Sequence, residues 1–239
     1  MSTDKEFTSP ALAELLRCAV SGRNASILDL GGAHAQSKRE WQKHFKEVCT
    51  LDFRQVLRRL RDYEKAERLT YLEEGHFCNF KHEQTFDAIV AWDFLNYLDD
   101  QTMTALFRTI SRFVKDSTLL TALSYSGSSI PAVPRQYSPT ALGFGVAEQA
   151  ENLVPRTTPP INSLKIQKCL PNFFIKSTFT AQPGMQRGAI EYLLVFKDSQ
   201  TQMKEKAALY EQVMQKRKER EAAATPNEQR TERELETLD

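Results

Sequence analysis

The fold of this chain is decided by the stretch Ser26-Ile27-Leu28-Asp29-Leu30-Gly31-Gly32-Ala33-His34-Ala35. An apolar run stops at Gly31-Gly32, a turn of small residues follows, and a helix then begins, so that backbone N–H groups can approach a ligand closely. Further along, Val48-Cys49-Thr50-Leu51-Asp52-Phe53 is typical of a second strand that ends on a carboxylate. Because adjacent strands of a doubly wound sheet bring their carboxyl ends together, we expect Asp52 where a ribose diol can be held. The two segments predict a site for a nucleotide-type ligand.

The rest of the chain alternates helices and strands. Hydrophobic periodicity and cap residues predict helices from Pro10, from Ser37 with Glu40 in a capping box, over 54–69 and after a cap at Asp100. They predict strands over 27–30, 48–52, 69–72, 86–92 and 118–123. Such alternation implies a parallel sheet with right-handed crossovers and helices on both faces. Two further runs, 173–179 and 190–196, are joined through Pro183-Gly184 and predict a terminal antiparallel hairpin.

These segments resemble class I S-adenosylmethionine-dependent methyltransferases. The first motif of that family is an apolar strand, an acidic residue and Gly-x-Gly-x-Gly; Asp29 and Gly31 match the acid and the first glycine, whereas Ala33 and Ala35 stand at the other glycine positions. Residues 86–98 resemble the fourth-strand motif, and their Trp-Asp-Phe-Leu-Asn-Tyr-Leu part is similar to a group of poorly characterised bacterial methyltransferases. The resemblance spans residues 7–197 in outline. It implies an α/β, Rossmann-like methyltransferase fold with a doubly wound, mostly parallel seven-stranded sheet and a C-terminal antiparallel hairpin.

The resemblance also implies S-adenosylmethionine as the cofactor. The residues that would hold it lie at four strand ends: Asp29, Gly31, Gly32 and Ala33; Asp52 and Phe53; His76, Phe77 and Cys78; and Ala91 and Trp92. We expect Gly31 to lie against the methionine carboxylate, where a side chain would intrude. His76 stands where the family has an acid that meets the adenine amine. From the residues alone, the glycine turn can equally be a tight βα connection, His76 a surface histidine, and Trp92 and Phe94 core aromatics.

Methyl transfer from a sulfonium needs little acid–base machinery, because the leaving thioether is neutral and alignment supplies much of the acceleration. If the acceptor is a hydroxyl or an amine, Asp93, Tyr97 and Tyr125 are the candidate catalytic groups for proton removal, since all three follow predicted strands. The four histidines lack a metal-ligand spacing, and no metal is expected.

Composition limits the partners. The 239 residues carry 32 Lys+Arg and 31 Asp+Glu, a net charge of +1, so no global field attracts nucleic acid or an anionic membrane. No apolar run reaches transmembrane length, and the four cysteines are scattered among apolar neighbours, which favours a reducing compartment. The expected location is the cytoplasm, and the expected partner is a small-molecule substrate.

The chain is predicted to hold a methyltransferase-like domain over 1–198 and a charged tail over 199–239. Within the domain, the proline-rich segment 125–163 is predicted to be a lid or substrate loop, with one short helix over 147–153. The tail is predicted to be an exposed helix over 204–224 followed by a disordered end. It is a solvated appendage or a surface that binds a protein partner.

Two other functions remain open at this stage. A catalytically inactive relative could keep the fold and serve as a binding module. A nicotinamide-dependent oxidoreductase is disfavoured, because Gln36 follows Ala35 where the third glycine of G-x-G-x-x-G would fall.

Overall fold

The computed structural model describes residues 5–19, 24–31, 35–81, 83–127, 129–141, 143–146, 154–157 and 160–235, with the backbone alone at 35 and 221–235. The chain forms two compact units, Met1–Lys197 and Asp198–Asp239.

The helices of the described residues are α1 (Pro10–Ala19), α2 (Ala35–Trp41), α3 (Phe53–Asp62), α4 (Lys65–Glu73), α5 (Asp100–Ile110), α6 (Ser163–Cys169) and α7 (Ser199–Leu235). The strands are β1 (Lys5–Thr8), β2 (Ser26–Asp29), β3 (Glu47–Thr50), β4 (Phe86–Val90), β5 (Val114–Tyr125), β6 (Ser129–Ile130), β7 (Tyr137–Pro139), β8 (Gly143–Val146), β9 (Arg156–Thr157), β10 (Phe173–Thr180) and β11 (Ala189–Phe196). Single 3₁₀ turns cover Phe94–Tyr97 and Ser111–Phe113.

The central sheet has the strand order β10-β11-β5-β4-β2-β3. The four strands β5, β4, β2 and β3 run parallel to one another, whereas β11 pairs antiparallel with both β5 and β10. Strands β2 and β4 are buried along almost their whole length, as expected for parallel strands covered on both faces. The predicted doubly wound, mostly parallel sheet with a terminal antiparallel hairpin is confirmed.

The central sheet contains six strands in the described part of the chain, one fewer than predicted. The predicted strand over 69–72 is wrong, because these residues lie in α4. A capping box of Glu64 and Glu67 starts this helix, and Tyr71 and Leu72 are its buried residues. The single helix predicted over 54–69 is in fact two helices, since Tyr63 is extended between them.

Two predicted helix caps are also wrong. Ser37 lies inside α2 and donates its hydroxyl hydrogen bond to the carbonyl of Tyr137, at 3.2 Å. Asp99, one residue earlier than predicted, caps α5 by accepting a hydrogen bond from the Thr102 N–H at 2.8 Å. Asp100 instead faces the lysines of α6.

The segment predicted to be a lid adds a second, three-stranded antiparallel sheet in the order β1-β8-β7. Its aromatic residues Tyr137 and Phe144 are buried with Leu12 and Leu15 of α1 in one apolar cluster on one side of the central sheet. Strands β7 and β8 therefore contribute to the core in this conformation. The short helix predicted over 147–153 lies outside the described residues.

The second unit is formed by α7, which extends past the predicted end at 224 as far as Leu235. Its sequence is rich in Ala, Glu, Lys, Gln and Arg, which are strong helix formers. Among the described residues, none of the helices combines the length and the apolar character that a membrane span requires.

Phe144 provides a test of how firmly the second sheet belongs to the core. Phe144→Ala is expected to lower the free energy of unfolding by about 3–5 kcal/mol, because it removes a ring that is only 2% exposed. Urea unfolding measures this change, and Phe174→Ala is the matched control, since Phe174 is 41% exposed. Equal, small losses in the two variants would contradict the packing described for β8.

Candidate functional site

Asp29 is the central polar group of the candidate site. It lies at the carboxyl end of β2 and is completely buried. Its Oδ1 accepts hydrogen bonds from the Gly31 N–H at 2.9 Å and from Trp92 Nε1 at 2.7 Å, and its Oδ2 accepts from Trp41 Nε1 at 2.8 Å. Hydrogen bonds to an ionised acceptor are short and strong. The carboxylate therefore ties the turn after β2 to α2 and to the turn after β4, which carries Trp92.

Gly31 is needed for a close approach, and the group that approaches it is the Trp92 side chain. A Cβ atom built on Gly31 would overlap Cδ1 of the indole and lie 2.7 Å from Nε1. The ring thus rests directly on the glycine backbone. Gly32 and Ala33, the other predicted cofactor-binding residues of this turn, lie outside the described residues.

The backbone of Trp92 has an unusual conformation that directs its side chain over Gly31. Its φ angle is +40°, in the left-handed region, which costs a bulky residue on the order of 1–3 kcal/mol. The ring stacks on Tyr137 with centroids 5.0 Å apart and planes within 2°, and it meets the edge of Phe144 at 5.8 Å. Such backbone strain persists only where surrounding contacts hold the residue in place. Ala91, the preceding predicted cofactor contact, is fully buried.

Asp52 lies just after β3, beside the carboxyl end of β2, as the sequence predicts. The Leu51 N–H donates to the carbonyl of Asp29 at 2.8 Å, which holds the two strand ends together. Asp52 is also the N-cap of α3: its Oδ1 accepts from the Arg54 N–H at 3.1 Å, and its Oδ2 accepts from Gln55 Nε2 at 3.3 Å. The side chain retains 16% exposure. Its predicted contact with a ribose is compatible with this position and stays a prediction.

Phe53, the next predicted contact, is a core residue in this structure. It is 1% exposed and packs on Phe94 with ring centroids 4.0 Å apart. The interpretation of Phe94 as a core aromatic is therefore the one that fits.

The residues predicted to meet adenine follow the end of α4. The His76 side chain is exposed, and its Nε2 lies 2.7 Å from a carboxylate oxygen of Glu74, which is typical of a surface histidine. Phe77 is buried in the main core cluster. Cys78 is half-buried, and burial raises the pKa of its thiol. His76, Phe77 and Cys78 thus share one turn, but only His76 presents its side chain to solvent.

A second polar cluster surrounds Asp93 at the carboxyl ends of β4 and β5. Asp93 is 1% exposed, and its Oδ2 accepts from the Tyr125 hydroxyl at 2.8 Å and from the Arg135 N–H at 3.4 Å. The Tyr137 hydroxyl, which also bonds the Asp93 side chain, lies 3.0 Å from that of Tyr125. Oδ1 of Asp93 is buried and has no hydrogen-bond partner among the described residues, and the same holds for the hydroxyl of Tyr97.

Burial sets the ionisation of this cluster. Burial raises the pKa of Asp93 to about 6, although the hydrogen bonds from Tyr125 and Tyr137 act in the opposite direction. Burial also raises the pKa of each of the three tyrosines Tyr97, Tyr125 and Tyr137 above its usual value, and the nearby Asp93 charge adds to this. At neutral pH the carboxyl is therefore mostly ionised, and the tyrosines remain protonated donors.

Asn96 fixes the loop that carries Asp93. Its Nδ2 donates to the carbonyl of Asp93 at 2.7 Å and to that of Leu123 at 3.0 Å, so it joins the turn after β4 to the end of β5. The Tyr125 N–H donates to Oδ1 of Asn96 at 3.4 Å. The three predicted catalytic residues therefore share one site. Asp93 and Tyr125 are hydrogen-bonded directly, and Tyr97 ends the 3₁₀ turn that Asp93 precedes.

Sequence reasoning missed three contributors to the site: Trp41, Tyr137 and Asn96. Trp41 falls in the helix predicted from Ser37, where its spacing indicates a buried face but no polar partner for its indole. Tyr137 lies in a proline-rich segment without periodicity, where no pattern marks a buried residue. Asn96 is part of the motif quoted above, but its role depends on the proximity of β5, which spacing alone does not reveal.

A family comparison bears directly on this arrangement. The model of the methyltransferase domain family matches residues 5–155, which include α1, the Asp29 turn, Asp52 and the Asp93 cluster. The chain belongs to the methyltransferase domain family. The predicted resemblance is confirmed, and S-adenosylmethionine is the methyl donor of this family.

Solved structures of similar fold are distant in sequence. An S-adenosylmethionine-dependent methyltransferase from Clostridium acetobutylicum has 12% identity and a TM-score of 0.42, with 79% of this chain and 92% of that chain covered. The 1,6-didemethyltoxoflavin-N1-methyltransferase from Burkholderia thailandensis has 13% identity and a TM-score of 0.45, with 79% of each chain covered. The N-methyltransferase NodS from Bradyrhizobium japonicum has 14% identity and a TM-score of 0.42, with 78% and 85% covered. A comparison with curated proteins gives no significant match.

The described residues do not accommodate the family's donor at Gly31 in this conformation. The Trp92 ring covers the face of Gly31 that the methionine end was expected to approach, and both oxygens of Asp29 already accept indole N–H groups. At the predicted ribose end, Asp52 is partly exposed. The disagreement is therefore confined to the turn after β2.

Asp29→Asn tests whether the carboxylate is the hub of the site. An amide offers one acceptor oxygen, so one indole N–H is left unpaired in the core, and we expect a loss of about 1–3 kcal/mol in the free energy of unfolding. Asp52→Asn is the matched control, because asparagine caps a helix as well as aspartate does. Chemical denaturation of both variants checks this prediction, and a loss no larger for Asp29→Asn than for Asp52→Asn would refute it.

Proposed function

We propose that the protein is an S-adenosylmethionine-dependent methyltransferase that acts on a small-molecule acceptor carrying a hydroxyl or an amine. The observation that carries this proposal is the buried Asp93 carboxylate at the edge of the sheet where ligands of such folds bind. In the part of the chain that the structure describes, its Oδ1 has no hydrogen-bond partner. Family membership supports the reaction class, and the polar cluster supports the kind of acceptor.

The donor, when bound, supplies an electrophilic methyl group on a sulfonium and leaves as a neutral thioether. The task left for the protein is to orient the acceptor and to take up its proton. Asp93 suits the second task, because the Tyr125 hydroxyl and the Arg135 N–H hold Oδ2, whereas Oδ1 can accept a hydrogen bond from an acceptor N–H or O–H.

The tyrosines of the cluster have a different role in this proposal. Their raised pKa values keep Tyr97 and Tyr125 protonated at neutral pH, so they are poor bases. The Tyr97 hydroxyl, which no described residue hydrogen-bonds, can hydrogen-bond an acceptor heteroatom, while Tyr125 fixes the orientation of the Asp93 carboxylate. Among the three residues predicted from sequence, Asp93 is thus the proposed base, and the other two position the reacting groups.

Three further features belong to the proposal. We place the protein in the cytoplasm, which its four free thiols support. We assign segment 125–163 to covering the acceptor, since its Tyr137 contacts the Asp93 cluster. Binding of a protein partner by the charged tail stays a prediction.

One observation favours the alternative, a catalytically inactive member that keeps the fold as a binding module. The Trp92 ring lies on Gly31 and takes part in the hydrogen bonds of the motif carboxylate, as a residue that permanently fills a disused site would.

Ligand-induced stabilisation separates the two functions. S-adenosylhomocysteine at about a hundredfold excess over its Kd should stabilise an active methyltransferase by about 2.7 kcal/mol, seen as a rise in Tm. Asp52→Ser should weaken that binding by roughly 10-fold to 100-fold, because serine keeps the cap of α3 but loses the carboxylate that accepts the ribose hydroxyls. Absence of any thermal shift with wild-type protein and either S-adenosylmethionine or S-adenosylhomocysteine would favour the binding module.

The pH dependence of stability tests the state of Asp93. Since its folded pKa of about 6 lies above the value of about 3.9 for an unfolded aspartate, the native state binds more protons between these values. The stabilisation is therefore complete below about pH 4 and is lost as pH rises through about 6. Relative to Asp93→Asn, the wild-type free energy of unfolding should fall over this range and then level off.

Asp100→Asn is the control for that measurement, because lysines of α6 lower the pKa of Asp100. Its difference curve should have the opposite sign and a small amplitude, since the carboxylate is exposed and screened. A flat Asp93 curve would show that this carboxylate does not titrate in the range that the proposed base requires.

A further inference from the structure

We infer that the Trp92 indole occupies the place against Gly31 that the methyl donor takes, and that Trp92 sets donor affinity by competing with the donor for this place. The inference rests on the proposed function. It assigns the residue a role beyond the backbone contact expected from the family resemblance.

Steric geometry carries the first step. The ring atoms Cδ1, Cγ and Nε1 of Trp92 all lie within 2.9 Å of the position that a Cβ of Gly31 would take. A glycine at a βα turn serves the close approach of another group to the backbone. Here that group is the indole, so a ligand atom cannot contact the same face of Gly31 until the ring moves.

The second step is that Asp29 tolerates the departure of the ring. Without Trp92, the carboxylate still accepts hydrogen bonds from Gly31 N–H and from Trp41 Nε1, one on each oxygen. The Asp29 carboxylate therefore stays hydrogen-bonded in the core. The position on Oδ1 that the Trp92 N–H leaves can accept a hydrogen bond from a cationic or N–H donor group of the incoming molecule.

The third step concerns the energy that holds the ring in place. The hydrogen bond to Asp29, the stack on Tyr137 and the edge contact with Phe144 keep it there, whereas the left-handed backbone of Trp92 opposes them. Strain of this kind lowers the net cost of moving the residue. The binding free energy of the donor therefore has to exceed only the difference between these contacts and the backbone strain. The donor can thus displace the ring.

Trp41 provides the comparison within the same site. Its indole bonds the other oxygen of Asp29, but it belongs to α2, is completely buried, and is not among the atoms nearest to Gly31. Because the chain has only two tryptophans, replacing Trp41 leaves Trp92 as the only indole fluorophore.

The test is calorimetric titration of S-adenosylhomocysteine into wild type, Trp92→Ala, Trp92→Phe and Trp41→Phe. Trp92→Ala should bind at least tenfold more tightly than wild type, and Trp92→Phe should also bind more tightly, since it keeps a ring but loses the hydrogen bond to Asp29. Phe174→Ala, titrated in the same way, is the control and should bind within threefold of wild type, because it removes an exposed ring of β10 outside this site. In Trp41→Phe, where Trp92 is the remaining indole, tryptophan emission should shift to longer wavelength on saturation, because the Trp92 ring leaves its buried position.

Two results would overturn the inference while leaving the proposed function intact. One is equal or weaker binding by folded Trp92→Ala and Trp92→Phe relative to a wild-type protein that binds. The other is unchanged emission of Trp41→Phe at saturating S-adenosylhomocysteine. The proposed function fails separately, and the inference with it, if no folded variant binds, Trp92→Ala included.

Discussion

The structure depends on one buried charge and the N–H groups that pair with it. A carboxylate placed in a protein core is unfavourable unless hydrogen bonds replace its water, and Asp29 obtains these from Gly31, Trp41 and Trp92. Those three donors come from the turn after β2, from α2 and from the turn after β4. Asp29 therefore fixes the relative positions of three elements at the edge of the sheet where ligands of this fold bind.

The two halves of the candidate site are connected through one pair of stacked rings. Trp92 bonds Asp29 on one side and stacks on Tyr137, whose hydroxyl meets Tyr125 and Asp93 on the other. Any movement of the Trp92 ring removes the surface on which Tyr137 packs. Under the proposed function, this contact would couple donor binding to the arrangement of the acceptor cluster, because Tyr137 packs on the Trp92 ring and also meets Tyr125.

Much of the fold follows from sequence, because buried parallel strands are continuous apolar runs and the hairpin is marked by Pro183-Gly184. The run over 69–72 misled the strand prediction, since a short apolar run suits a helix equally well and the cap at Glu64 decides in favour of helix. The sequence also brought Asp29, Asp52 and Asp93 to one edge of the sheet. It could not reveal that the Trp92 ring covers Gly31, because that depends on a left-handed backbone and on tertiary contacts with Tyr137.

The central claim is that the family's donor and the Trp92 ring compete for the same face of Gly31. A crystal structure of the protein grown with S-adenosylhomocysteine tests it most directly. We predict the ligand against Gly31, the Trp92 ring displaced from Asp29, and Trp41 still bonded to that carboxylate. A structure with the ligand bound at these strand ends and the Trp92 indole still resting on Gly31 would contradict the claim.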